Sequence, residues 1–135
     1  IYGNGENVRD WIYVEDHINA IRKIIEKGKI GETYNIGGEC ELNNNSIAKI
    51  LIEKVSKALN LDKNRVKNNL NYVEDRPGHD IRYAMNISKI RSEIGWSPKY
   101  NFESGIDRTL EWYINYFNSE WFDKQNKFQR IGLIK

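Results

Sequence analysis

The sequence predicts an α/β chain with some parallel strand pairing. Short β-prone runs at 8–14, 33–36 and 70–73 alternate with stretches whose apolar residues recur at helical spacing. Glycine, proline and asparagine mark the joints between them. Three or four short strands do not make a comfortable self-contained doubly wound sheet. Some are therefore expected to belong to a sheet whose other strands lie before Ile1.

Each element has its own signal. Ile1-Tyr2-Gly3-Asn4-Gly5 reads as a strand stub entering an Asn-Gly hairpin turn, with no initiator methionine before it. That opening raises the expectation of a cut through a longer protein. Residues 8–14 mix β-branched and aromatic side chains, as strands do. Glu15 and Asp16 then favour a helix amino terminus. Ile18, Ile21, Ile24 and Ile25 continue that helix, and Gly28 stops it. A strand over 33–36 ends at Gly37-Gly38, and Asn44, Asn45 and Ser46 are the candidate caps of the next helix. The apolar face of that helix is Ile47, Ile50, Leu51, Val55, Ala58 and Leu59. Residues 60–69 read as a polar connector, and 70–73 as a strand. Asn86 or Ser88 opens a short helix closed by Gly95, and a longer helix covers about 103–118. Residues 121–135 are aromatic and basic, suiting a tail that packs on the body or frays.

Composition narrows the classes. At 135 residues and 39% hydrophobic content the chain is the size of one globular domain. Charges of both signs are interspersed and the net charge is only +2, which argues against a nucleic-acid footprint. The single cysteine, Cys40, excludes an internal disulfide and fits a reducing, cytoplasmic compartment. Glu39 and Glu41 flank it, and neighbouring negative charge disfavours a thiolate nucleophile. No apolar run is long enough for a bilayer, and the amino end lacks a signal-peptide pattern.

The stretch Asp75-Arg76-Pro77-Gly78-His79-Asp80-Ile81-Arg82-Tyr83 carries the most chemistry. Two arginines, a histidine and two aspartates crowd around a Pro-Gly turn, where loops tend to carry ligand contacts. A guanidinium fork suits a phosphate or a carboxylate. The competing reading is a polar turn whose charges pair with each other and with water.

Three blocks resemble a known family. Tyr2-Gly3-Asn4-Gly5-Glu6-Asn7-Val8-Arg9-Asp10-Trp11 through His17, and Glu32-Thr33-Tyr34-Asn35-Ile36-Gly37-Gly38, are similar to segments of the extended short-chain dehydrogenase/reductase superfamily. Arg76-Pro77-Gly78-His79-Asp80 with Arg82-Tyr83, followed by Glu93-Ile94-Gly95-Trp96, resembles the dTDP-glucose 4,6-dehydratases within it. The resemblance implies the carboxy-terminal portion of such an enzyme. That portion comprises the last strands of a Rossmann-type sheet plus the small mixed α/β substrate-binding domain. The implied division is 1–38 for the Rossmann remnant and connecting strands, 39–120 for the nucleotide-sugar domain and 121–135 for the tail.

Enzymes of this family use NAD to oxidise a dTDP-glucose at C4, eliminate water across C5 and C6 and return the hydride at C6. A dinucleotide site needs a glycine-rich turn after a first strand. This chain has no Gly-x-x-Gly-x-x-Gly, no Tyr-x-x-x-Lys pair and no Thr-Asp-Glu triplet. NAD is thus expected only in the full-length enzyme, and the 135 residues alone are expected to be inactive. Implied partners are dTDP-glucose and, for the full-length enzyme, a second copy; neither nucleic acid nor membrane is expected. Another sugar-nucleotide epimerase or decarboxylase, or a non-catalytic module on this scaffold, is the alternative.

The resemblance also implies ligand contacts. Arg9 and Arg76 would reach the diphosphate, Asn44 would add a polar contact near it, Tyr2 would lie by the base and His79 would border the ligand. Each has a structural alternative. Arg9 can pair with Asp10 or Glu6, Asn44 can be a helix cap, and His79 can brace the Pro-Gly turn. Arg82 and Tyr83 are read as packing and pairing residues, and Trp11, Trp96, Trp112 and Trp121 as core or interface aromatics. An aromatic hydroxyl near the carboxy terminus is a candidate ligand contact in the family, and a Phe128 at that place would lack it.

Overall fold

The computed structural model describes residues 1–118; the expected tail, with Trp121 and Phe128, lies outside the described residues. The elements in order are β1 (Val8–Asp10), α1 (Val14–Lys27), β2 (Glu41–Asn43), α2 (Asn44–Ala58), α3 (Lys63–Lys67), β3 (Arg82–Tyr83), α4 (Ser88–Ile94) and α5 (Phe102–Phe117). β1 lies at the centre of a three-stranded sheet, antiparallel to β2 and parallel to β3. The register sets Arg9 opposite Leu42 on one side and Tyr83 on the other. The expected α/β character and parallel pairing are both present.

The helices follow their sequence signals. α1 ends at Gly28, α4 closes on Gly95 in the left-handed region at φ 68°, and Asn101 caps α5 by accepting from the Ser104 amide at 2.9 Å. At α2 the expectation is off by one residue. Asn43 is the cap, accepting from Ser46 N at 2.8 Å, so Asn44 already lies in the first turn. The connector at 60–69 contains α3, which Asp62 caps by accepting from Asn64 N and Arg65 N.

The strands depart further. β1 stops at Asp10 because its carboxylate turns to accept from Gly38 N and Cys40 N, at 3.1 and 3.0 Å. Residues 33–36 form no strand. Tyr34 and Ile36 pack inward on the core, but the segment has no backbone ladder among the described residues. The run at 70–73 makes a single parallel bridge, Tyr2 to Val73, and the opening stub is not a hairpin. Its backbone is satisfied by residues 71–73 instead: Val73 N donates to Ile1 O at 2.8 Å and Gly3 N to Val73 O at 3.0 Å. β2 and β3, three and two residues long, carry no period-two signal that the sequence could reveal.

One compact cluster holds the body together: Ala20 of α1, Ile90 and Ile94 of α4, Ile87 just before it and Trp96 just after. Ile12, Ile24, Tyr34, Ile36 and Met85 pack around it. Asp16, itself buried, accepts from Lys99 N at 3.0 Å and Tyr100 N at 2.9 Å, tying α1 to the segment that leads into α5. Of the isoleucines expected on the buried face of α1, only Ile24 meets the core. Ile18, Ile21 and Ile25 are exposed, with Val14 beside them. Ala20 is the fully buried residue of α1 in that core.

Candidate functional site

The 75–80 loop is built around one carboxylate. Asp75 Oδ1 accepts from Arg76 N at 2.9 Å and from His79 Nδ1 at 2.6 Å. Gly78, at φ 69°, makes the reversal, and His79 N donates back to Arg76 O at 3.3 Å. The opening stub packs closely on the loop. A Cβ on Gly3, which sits at φ 59°, would lie 2.7 Å from Asp75 Oδ2, so glycine serves both the backbone angle and the approach. The hydrogen bond from His79 holds the Asp75 carboxyl below the usual carboxylate range.

Pairing of β1 with β3 brings Arg9 to this loop. Val8 N donates to Ile81 O at 2.8 Å, and buried Asn7 donates its amide to Asp80 O at 3.1 Å. Arg9 Nη2 then reaches His79 Nε2 at 2.9 Å and Asp80 O at 3.0 Å, while Nη1 donates to Val8 O at 2.7 Å. The expected alternative, a pair with Asp10 or Glu6, is not formed. Asp10 serves the 38–40 backbone, and Glu6 accepts from Asn43 and Asn45. A guanidinium has five N–H donors, and these bonds use three. Nε–H and one Nη1–H remain for a further acceptor.

Arg76 extends from the same loop. It is exposed, and its guanidinium has no hydrogen bond or ion pair among the described residues. Tyr2 meets His79 edge-on, with ring centroids 6.3 Å apart. The structure thus gathers Tyr2, Arg9 and His79 around one loop, with Arg76 rising from it. Asn44 stands apart, lining a cavity of about 420 Å³ with Tyr2, Ile47, Leu51 and Leu70. Its neighbours have structural work: Asn43 caps α2, and Asn45 donates to Asn4 O and Glu6 and accepts from the Tyr72 hydroxyl at 2.9 Å. The Asn44 side chain has no such partner among the described residues.

Other candidates fall away. Burial, then Asp10 and Glu103, push the Cys40 thiol up. The expected direction holds, but burial leads and the flanking glutamates are not its cause. Arg82 forks onto Glu41 through Nε and Nη2 at 2.6 and 2.7 Å, a structural pair as expected. Trp96 is core, Trp11 donates to Leu42 O at 3.1 Å, and Trp112 stacks on Tyr116. A separate cavity of about 650 Å³ is lined by Tyr13, Tyr100, Trp112 and Tyr113 and by none of the candidate ligand residues. Among the described residues, no helix is long and apolar enough to cross a membrane and no group could hold a metal ion.

The Gly37-Gly38 pair does not offer a dinucleotide cradle. A Cβ on Gly37 would lie 2.3 Å from Asp10 Oδ2 and one on Gly38 2.0 Å from Trp11 O. The double glycine is therefore filled by the chain itself. It also leads into a strand, where a pyrophosphate cradle needs a helix amino terminus.

Residues 1–109 match the family model described as GDP-mannose 4,6 dehydratase. The chain belongs to that family. Among its curated relatives is the dTDP-glucose 4,6-dehydratase of Escherichia coli, 42% identical over an alignment that takes in all of this chain and 39% of that protein. Among solved structures, the dTDP-glucose 4,6-dehydratase DesIV of Streptomyces venezuelae, with NAD and TYD bound, superposes with a TM-score of 0.73 at 37% identity. That match covers 86% of this chain and 34% of DesIV. The UDP-glucose 4-epimerase of Thermotoga maritima, solved with UDP-glucose, matches at 28% identity and a TM-score of 0.69, covering 87% of this chain and 35% of the epimerase. The chain thus spans little more than a third of the length of the relatives it matches.

Proposed function

We propose that these residues are the nucleotide-diphosphate grip of a dTDP-glucose 4,6-dehydratase, which converts dTDP-glucose to its 4-keto-6-deoxy product. One observation carries the reading. Arg9 is anchored by three acceptors yet keeps two N–H donors, beside a loop from which the exposed Arg76 guanidinium extends, with no hydrogen bond among the described residues. Two forked cations on different elements suit a diphosphate, whose oxygens they can engage from two sides. Tyr2 is assigned to the base, Asn44, which lines a cavity with Tyr2, to a polar contact near the diphosphate, and His79 borders the ligand. Binding energy from this remote group would hold the sugar ring in register at the reacting centre.

Oxidation, elimination and hydride return are assigned to residues of the whole enzyme outside this chain, together with NAD, since the Gly37-Gly38 pair is filled by the chain itself. The greater identity to the dTDP-glucose dehydratases than to the UDP-glucose epimerase favours the dehydratase over an epimerase. Assay of a full-length enzyme carrying this chain decides between them. A 4-keto-6-deoxy sugar supports the reading, and an epimer of unchanged oxidation level overturns it. For the 135-residue chain itself, calorimetric titration with dTDP is expected to show weak binding without turnover. A folded sample giving no heat at millimolar dTDP contradicts the grip.

A further inference from the structure

Resting on that diphosphate reading, we infer that Asp75 is a positioning residue for the ligand: acting through His79, it fixes the donors that Arg9 presents. Arginine can only donate, so the contact of 2.9 Å from Arg9 Nη2 requires a lone pair on His79 Nε2. The imidazole proton must then sit on Nδ1, where Asp75 Oδ1 accepts it at 2.6 Å. The other neutral tautomer would set two donors face to face at Nε2 and two acceptors at Nδ1. A doubly protonated ring would likewise oppose the guanidinium. Asp75 therefore selects the tautomer, the tautomer supplies the acceptor, and the acceptor orients the guanidinium.

The surroundings confine the chain of contacts. The side chain of His79 is only 7% exposed, with the Tyr2 ring on its edge. Arg76 N holds the same Asp75 oxygen from the other side, and Gly3 leaves the room in which the carboxylate sits. The loop thus fixes one arginine through a side-chain relay and roots the other next to the relay's anchor. Asp75 touches no ligand in this arrangement. Its effect on Arg9 passes through the histidine.

Tautomer and affinity can be read separately. Long-range ¹H–¹⁵N correlation spectra of the ¹⁵N-labelled 135-residue chain, at a pH above the imidazole titration, report which ring nitrogen carries the proton. His17→Gln assigns the two histidines. His79 is expected as the Nδ1–H form. Asp75→Asn can donate its amide to Nδ1 and is expected to move the ring towards Nε2–H and weaken dTDP binding by ~10-fold or more. In a His79→Gln background the amide oxygen can accept from Arg9 without help from Asp75. There Asp75→Asn should change dTDP affinity little, a non-additivity that a general packing role would not give.

A wild-type chain that binds dTDP with His79 as Nε2–H overturns the inference, and so does full additivity in the cycle. The wild-type spectrum needs no variant, so the inference stays testable if Asp75→Asn fails to fold. A wild type that shows Nδ1–H yet binds no dTDP overturns the diphosphate reading itself, and the ligand role of Asp75 with it.

Discussion

At the residue scale, Arg9 and Arg76 have unequal freedom, and their substitutions should differ accordingly. Arg76 spends no guanidinium donor on the described residues, so Arg76→Ala removes ligand contacts and little else. It is expected to weaken dTDP binding by about 10-fold or more with an unchanged unfolding midpoint, read by calorimetry and by urea denaturation. Arg9→Ala also deprives His79 and the Asp80 carbonyl of a donor, so both affinity and stability should fall. Arg76 stood out in the sequence because Arg-Pro-Gly-His is a dense, unusual block, whereas Arg9 was singled out by the resemblance of the 2–17 block. The relay was not. Asp75 and His79 are four apart, but the acceptor they create serves a residue 70 positions away, a pairing that only the β1–β3 register brings about. Asp16 hid in the same way. Its place near a helix start suggested a dipole role, whereas its carboxylate holds the Lys99 and Tyr100 amides. Asp16→Ala is expected to cost about 1–3 kcal/mol, since it leaves two backbone donors short of an acceptor. Urea unfolding measures this, and no loss would count against the role.

At the element scale, the helices other than the five-residue α3 could be read because glycine and capping residues punctuate their 3.6-residue period. Of the strands only β1 could, as the start of the run at 8–14. A two- or three-residue strand has no period to detect, and β2 lies where Asn43 looks like part of a capping run. The sheet is pinned instead by side chains crossing over β1, above all the Arg82–Glu41 fork between its two edge strands. The hydrogen bond from Arg82 lowers the Glu41 carboxyl from its ordinary value of 4.5. A lowered carboxylate contributes stability that is complete above its unfolded value and disappears as pH falls through its folded value. The difference in melting temperature between wild type and Arg82→Ala should therefore be constant at neutral pH and close below about pH 4.5. A gap that persists into acid would assign the effect of Arg82 to packing. Gly38→Ala tests the other crossing. Its Cβ would meet Trp11 O at 2.0 Å, and the forced backbone shift should destabilise by about 1–3 kcal/mol.

For the whole molecule, stability and surface tell one story. The described body closes on a small cluster in which Trp96 and Ile90 are the largest fully buried side chains. Trp96→Ala should cost about 3–5 kcal/mol, a large share of what a small domain has. Outside that cluster, Val14, Ile18, Ile21 and Ile25 give α1 an apolar face in water. The folded chain is accordingly expected to bind the dye 8-anilinonaphthalene sulfonate, with binding reduced in Ile18→Glu/Ile25→Glu. The relatives' greater length agrees with the sequence expectation that this α/β unit is too short for a self-contained doubly wound sheet.

The central claim is that the diphosphate, through Arg9 and Arg76, supplies the affinity. Parallel calorimetric titrations of thymidine, dTMP and dTDP into the wild type and into Arg9→Ala/Arg76→Ala test it most directly. Affinity should rise with each phosphate in the wild type, and the three ligands should become nearly equal in the double variant. Equal affinities in the wild type, or a double variant that keeps its preference for dTDP, would contradict the account.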